Sequence, residues 1–315
     1  TRGITMRSSA LVYLTISLIL IASIPTGGAI TKDNKSKWTD LTVSGGQSLL
    51  VEELTATWCS SCTEIDPYLH QVADSHGSRI SIVSYHPSDD VDAFQPQASK
   101  LRIERLELKH PEIGQTPSFV VESSELRVGP ESWPDVQKDI LREETSRQSY
   151  SRLNFSISQE NLTYTAKVSS SELLATDEKT ELSFLLLEHK KEVPEGEINP
   201  GGKYRDRVTV GYASCDLTNN SVTRNVGFLT ANASSCGEDF TVTFGYVSQF
   251  SLILIHEYTI EEINDNPRIY QTLGVVEFSY REVYVEDNAN YATEIFIAFI
   301  TLGIIWSVLA RKFPK

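Results

Sequence analysis

The segment Val51-Glu52-Glu53-Leu54-Thr55-Ala56-Thr57-Trp58-Cys59-Ser60-Ser61-Cys62 constrains this chain more than any other. Leu49 to Thr55 reads as a strand. From Cys59 to Ala73, the positions Cys62, Ile65, Leu69 and Val72 recur at helical spacing. A CxxC pair therefore stands where a strand hands the chain to a helix. Such a pair can be half of a zinc site, a structural disulfide or a redox pair. Zinc needs a second pair of ligands at suitable spacing. The other cysteines, Cys215 and Cys236, lie far downstream, which leaves only scattered histidines such as His86 and His110. No metal or organic cofactor is assigned, and copper or zinc delivery through Cys59, Cys62 and His86 stands as a lesser alternative. A helix N-terminus stabilises a thiolate, so Cys59 is expected to attack. Cys62, nearly a turn further in, is expected to be more buried and to resolve the mixed disulfide.

Around this motif strand and helix alternate. Ile80–Tyr85 reads as a short apolar strand, Asp90–Leu108 as a mostly amphipathic helix, and Ser118–Glu122 with Glu125–Val128 as a hairpin. Ser132 is placed to cap a helix that has Pro134 in its first turn and runs through Val136, Ile140 and Leu141. This is the pattern of an α/β layer fold, assigned to residues 48–146 after a polar linker at 30–47. Beyond Tyr150 the strands follow one another without helices: Leu153–Ser158, Leu162–Val168, Glu181–Glu188, Arg207–Ala213, Val222–Phe228, Asp239–Tyr246, Ser251–Tyr258 and Gly274–Tyr280. Short strands with turn-rich gaps, such as Glu195–Gly202, predict an all-β, immunoglobulin-like sandwich over 151–284.

The ends read as targeting segments. Arg2 and Arg7, the apolar run Ala10–Ile24 and the small residues to Ala29 suit a signal peptide or N-terminal anchor at 1–29, with Met6 a candidate start. Residues 285–291 read as a juxtamembrane spacer and 292–310 as a transmembrane helix. Its apolar run, Ile295–Ala310, is followed by Arg311, Lys312 and Lys315. By the positive-inside rule the tail 311–315 is cytoplasmic and both domains are extracytoplasmic. Asn34, Asn154, Asn161, Asn219 and Asn232 begin glycosylation sequons on that outer side. Oxidising conditions there favour a structural disulfide between Cys215 and Cys236. The net charge of −14 over 315 residues excludes a nucleic-acid partner, which would need a basic face.

Residues 49–144 resemble the thioredoxin superfamily. Trp58 precedes the first cysteine as in that family's WCxxC motif, and Pro67 matches its helix-kinking proline. Glu53 matches its buried proton-transferring acid. Thr116–Pro117, leading into Ser118–Val121, matches its cis-proline loop. The phrases Glu52–Cys59 and Ser84-Tyr85-His86-Pro87 further resemble thioredoxin-like proteins related to bacterial outer-membrane proteins. The resemblance implies Cys59, Cys62 and Glu53 as catalytic residues, and substrate binding by Trp58, Thr116 and Pro117. Ser60–Ser61 departs from both the Gly–Pro of reducing members and the Pro–His of strong oxidants, so the direction of exchange is open. The implied function is a membrane-anchored thiol-disulfide oxidoreductase acting on exported protein substrates, with a membrane or extracytoplasmic redox partner. The alternative is a cell-surface binding or scaffold protein with an inert disulfide. Two local expectations accompany this reading. Glu52 and Glu53 alternate, so only one points inward, and His86 at a strand end lies at the surface.

Overall fold

A computed structural model describes residues 40–281 except 123, 176–178 and 267–270. The proposed signal segment, juxtamembrane spacer, transmembrane helix and tail therefore lie outside the described residues. The first half contains β1 (Leu41–Gly45), β2 (Leu49–Leu54), α1 (Ser60–His76), β3 (Ile80–Tyr85), α2 (Gln97–Glu107), β4 (Ser118–Val121), β5 (Arg127–Val128) and α3 (Trp133–Ser146). The second half begins with β6 (Arg152–Glu160), β7 (Thr163–Glu172), β8 (Thr180–Glu188), β9 (Lys191–Glu192), β10 (Tyr204–Arg205) and β11 (Val208–Asp216). It continues with β12 (Ser221–Val226), β13 (Thr230–Asn232), α4 (Cys236–Asp239), β14 (Thr241–Gly245), β15 (Phe250–Tyr258), α5 (Ile260–Asp265) and β16 (Gly274–Tyr280). The described chain is β-rich with few helices.

One sheet runs through both halves in the order β16-β15-β8-β11-β3-β2-β4-β5, with β12 pairing the later part of β11 on the edge that β3 meets at Val208. β2 and β3 are parallel, as a strand–helix–strand crossover requires, and β4 returns antiparallel beside β2. The halves join where Val208 of β11 meets Ser84 of β3, whose N–H donates to the Arg207 carbonyl at 3.0 Å. A second sheet, β1-β6-β7-β14-β13, packs on the first. Alternation along β8 explains the layering. Phe184 and Leu186 face Phe155, Tyr164 and Phe244 of the second sheet, while Leu185 and Leu187 face the other way, into a cluster with Ala98 and Leu106 of α2. With both faces covered, nearly the whole strand is apolar or buried. On β2, Leu49 and Val51 lie with Ile65 and Leu69 of α1 and Val136 and Ile140 of α3. Leu50 and Leu54 belong to the α2 side.

Four local expectations need correction. Residues 41–45, assigned to the linker, form strand β1 against β6, an alternation of only two apolar side chains, Leu41 and Val43. The helix expected from Asp90 starts at Gln97, because Asp92 folds the preceding residues by accepting the N–H groups of Phe94 and Gln95. Ser132 stands at the start of α3 without capping it, since its hydroxyl donates to the Gly129 carbonyl at 2.7 Å. Leu141, expected on the buried face of α3, is exposed. Among the described residues no helix is long and apolar enough to cross a membrane.

Candidate functional site

Cys59 is the N-cap of α1, in extended conformation, and the Cys62 N–H donates to its sulfur at 3.1 Å. The two cysteines form a disulfide with Cα atoms 5.3 Å apart. Cys62 is fully buried and Cys59 is 4% exposed. The segment that delivers them is tied down from the loop after β3. Asp92 accepts the Thr57 N–H at 2.7 Å, Thr57 Oγ1 accepts the Ala93 N–H at 3.0 Å, and Trp58 Nε1 donates to Asp89 at 2.9 Å. Burial alone would raise the Asp92 carboxyl. Hydrogen bonds from His86, Thr57 and Phe94 outweigh it and hold the group below the usual carboxylate range.

His86 is not a surface residue. It is fully buried, with Nδ1 2.9 Å from Asp92 Oδ2 and its ring edge-on to Phe94. Its strand end is covered by the loop it begins, which strand periodicity does not reveal. The expectation that one of Glu52 and Glu53 faces solvent also fails, because the sheet is covered on both sides and both are buried. Glu52 faces α2 and pairs with Arg102 at 3.0 Å. Glu53 faces α1 and accepts from Ser84 Oγ at 2.7 Å.

Glu53 has a partner that sequence reasoning missed, Asp66 on α1, four residues after Cys62. Glu53 Oε1 and Asp66 Oδ1 are both buried without a hydrogen-bond partner among the described residues, and the two carboxyl groups act on each other. Burial, and then the Asp66 charge, push the Glu53 carboxyl well above its ordinary range. Burial lifts Asp66 to about 6, against the lowering effects of its hydrogen bond with Glu53 and of Arg205. That hydrogen bond acts to raise Glu53 and to lower Asp66.

The raised values carry a stability cost. Between an unfolded value near 4 and the folded value, the native state holds more protons than the unfolded chain. Stability contributed at this pair therefore falls as pH rises from about 4 to about 6, the range set by Asp66. Asp66→Asn removes the Asp66 share of that fall and leaves the share that Glu53 owes to its own burial. Allowing for partial exposure, the variant is expected to gain ~1–2 kcal/mol relative to the parent chain between about pH 4 and about pH 7. Urea denaturation at the two pH values measures this, and parallel pH profiles would contradict the assignment.

The second half reaches into the site through the β9–β10 hairpin. Arg205 Nη2 donates to the Thr57 carbonyl at 3.2 Å and to Asn199 Oδ1 at 2.6 Å. Gly201 lies so close to α1 that a Cβ there would be 2.4 Å from Thr63 Cγ2. The only hint of this in the sequence was the turn-rich stretch Glu195–Gly202.

The Thr116–Pro117 peptide is cis. Ser118 pairs with Leu54, so Pro117 lies just past the end of β2, where the chain departs toward Cys59. Cys215 and Cys236 are joined in a disulfide within the core between the two sheets, among residues of the second half. Among the described residues no three His, Cys, Asp or Glu side chains are grouped to hold a metal ion.

No family model matches the chain, and no curated protein matches it either. Two solved structures are similar over 75% of it. HBP35 of Porphyromonas gingivalis is 15% identical, with 76% of that chain covered and a TM-score of 0.47. Protein AGR_C_4864 from Agrobacterium tumefaciens is 11% identical, with 96% of that chain covered and a TM-score of 0.46. Both scores are too low to bear on fold or function.

Proposed function

We propose that the chain is a thiol-disulfide oxidoreductase with a thioredoxin-like domain, an immunoglobulin-like sandwich and a C-terminal membrane anchor. It acts on exported protein thiols and disulfides. The observation that carries this reading is a CxxC disulfide at the start of a helix, with the buried Glu53 carboxyl facing the same helix. In the oxidised form, a substrate thiolate attacks Cys59 Sγ and the Cys59–Cys62 bond breaks. Cys62 leaves as a thiolate and takes a proton from the buried Glu53–Asp66 pair. A second substrate thiolate then attacks the substrate sulfur bound to Cys59, closing the substrate disulfide and releasing Cys59 as a thiolate. The substrate loses two electrons and the Cys59–Cys62 pair gains them. The reverse sequence reduces a substrate disulfide. The anchored, extracytoplasmic placement rests on the apolar run Ile295–Ala310 and the cations after it.

The test is a trap. With Cys62→Ser in the full chain, the reduced Cys59 thiolate attacks a substrate disulfide and no resolving thiol releases it. Purification from the native membrane fraction is expected to yield protein adducts that reductant removes and that are absent when Cys59 is also replaced. If no such adducts form, the scaffold reading takes precedence.

A further inference from the structure

We propose that the β9–β10 hairpin is a working part of the dithiol site, and that Arg205 is a positioning residue that fixes which buried acid, Glu53 or Asp66, carries the proton. This deepens the exchange reading and rests on it. Arg205 is 6% exposed, yet its hydrogen bonds go to neutral oxygens. Nη1 donates to the Gly202 and Tyr204 carbonyls, and Nη2 to Asn199 Oδ1 and the Thr57 carbonyl, while Nε is buried without a partner among the described residues. An arginine cannot shed its charge, so a buried cation is held two residues before Cys59. Its charge acts on Asp66. The contact of Gly201 with Thr63 keeps the hairpin against the same helix.

The groups around the acids are few. Asp66 is faced by Glu53 from β2, by Arg205 from β10 and by Asp206 next to it, which opposes Arg205. Glu53 is faced by Ser84 and Asp66. With Arg205 attracting the Asp66 carboxylate, a proton on the pair stays on Glu53 and Asp66 is left free to accept another. Cys62 and Asp66 are four residues apart on α1 and share a helix face. Cys62 is shut off from water. When Cys62 resolves a mixed disulfide, its thiol proton passes to Asp66 and its sulfur bonds to Cys59 Sγ. The Cys59–substrate bond breaks, and the substrate leaves as a thiolate that takes its proton from water. A domain remote in sequence thereby sets the pH at which the second step runs.

The experiment uses the reduced full chain and a symmetric chromogenic aryl disulfide in single turnover. Attack by Cys59 releases one coloured thiolate, and resolution by Cys62 releases the second. Arg205→Gln is expected to raise the pH midpoint of the second phase by about one unit, slowing it about tenfold below the midpoint, whatever its effect on the first. Arg205→Lys should restore most of the rate. Asp66→Asn, a near-isosteric change, is expected to slow the second phase and remove its midpoint, and Arg205→Gln should then add nothing. If Arg205→Gln does not fold, Asp66→Asn still decides: an unchanged second phase overturns the proposal. So does a midpoint shift by Arg205→Gln that persists without Asp66. Failure of the parent chain to release the first thiolate would instead overturn the exchange reading itself.

Discussion

Arg102→Ala is expected to destabilise the folded chain by roughly 3–5 kcal/mol. Arg102 is 1% exposed at the centre of a charge network beneath α2. Its Nη1 donates to both oxygens of Glu257 at 2.8 and 3.0 Å, Nη2 donates to Glu52 at 3.0 Å, and Nε donates to the Tyr85 hydroxyl at 3.2 Å. Arg105, one turn on, pairs with Glu181 at 3.0 Å and with Glu257 at 3.1 Å. Burial by itself would raise the Glu257 carboxyl, but the two guanidinium groups outweigh it and lower it. Removing Arg102 leaves three buried carboxylates to one arginine. The cost comes from the stranded charges, since a buried ion pair is itself worth little net stability. Two measurements follow. Chemical denaturation near neutral pH should show the loss, and it should shrink at low pH, where Glu257 becomes protonated in the variant. Replacing Arg102 with Met together with Glu52→Gln and Glu257→Gln should recover most of it. A loss below about 1 kcal/mol for Arg102→Ala would mean that water or rearrangement satisfies the carboxylates.

Loss of the Cys215–Cys236 disulfide is expected to cost about 3 kcal/mol in the double alanine variant. The cysteines are 21 residues apart, and the bond closes a loop containing β12 and β13. An open chain gains the entropy of that loop on unfolding, and the estimate follows from the loop length. Both cysteines are fully buried in the core with Phe184 and Phe240, so little water reaches the bond. Cys59, at a helix start, keeps 4% exposure, against none for Cys215 and Cys236. Under mild reductant the Cys59–Cys62 pair should therefore open first, and differential alkylation read by mass spectrometry would show it. Simultaneous opening of the two bonds would contradict their separate roles. A denaturation midpoint unchanged in the alanine variant would show that the core alone holds the loop.

The sequence by itself determined what depends on neighbouring residues. A strand running into a helix through Cys59–Cys62 was readable because apolar spacing and the motif are local. The eight strands of the second half were readable from alternation and turns, most within two residues of their observed ends. Tertiary structure decided everything that depends on which faces are covered. Period-2 alternation sends Glu52 and Glu53 to opposite faces but does not say that α2 covers one and α1 the other, so both are buried. The loop after β3 puts His86 inside, with Asp92 and Phe94 against its ring. Arg205 and Asp66, or Arg102 and Glu257, are separated by more than a hundred residues, and no local pattern joins them. Buried charges are tolerated only where a counter-charge or hydrogen bond meets them. Their partners are therefore assigned by packing, once the sheet has brought the two halves of the chain together.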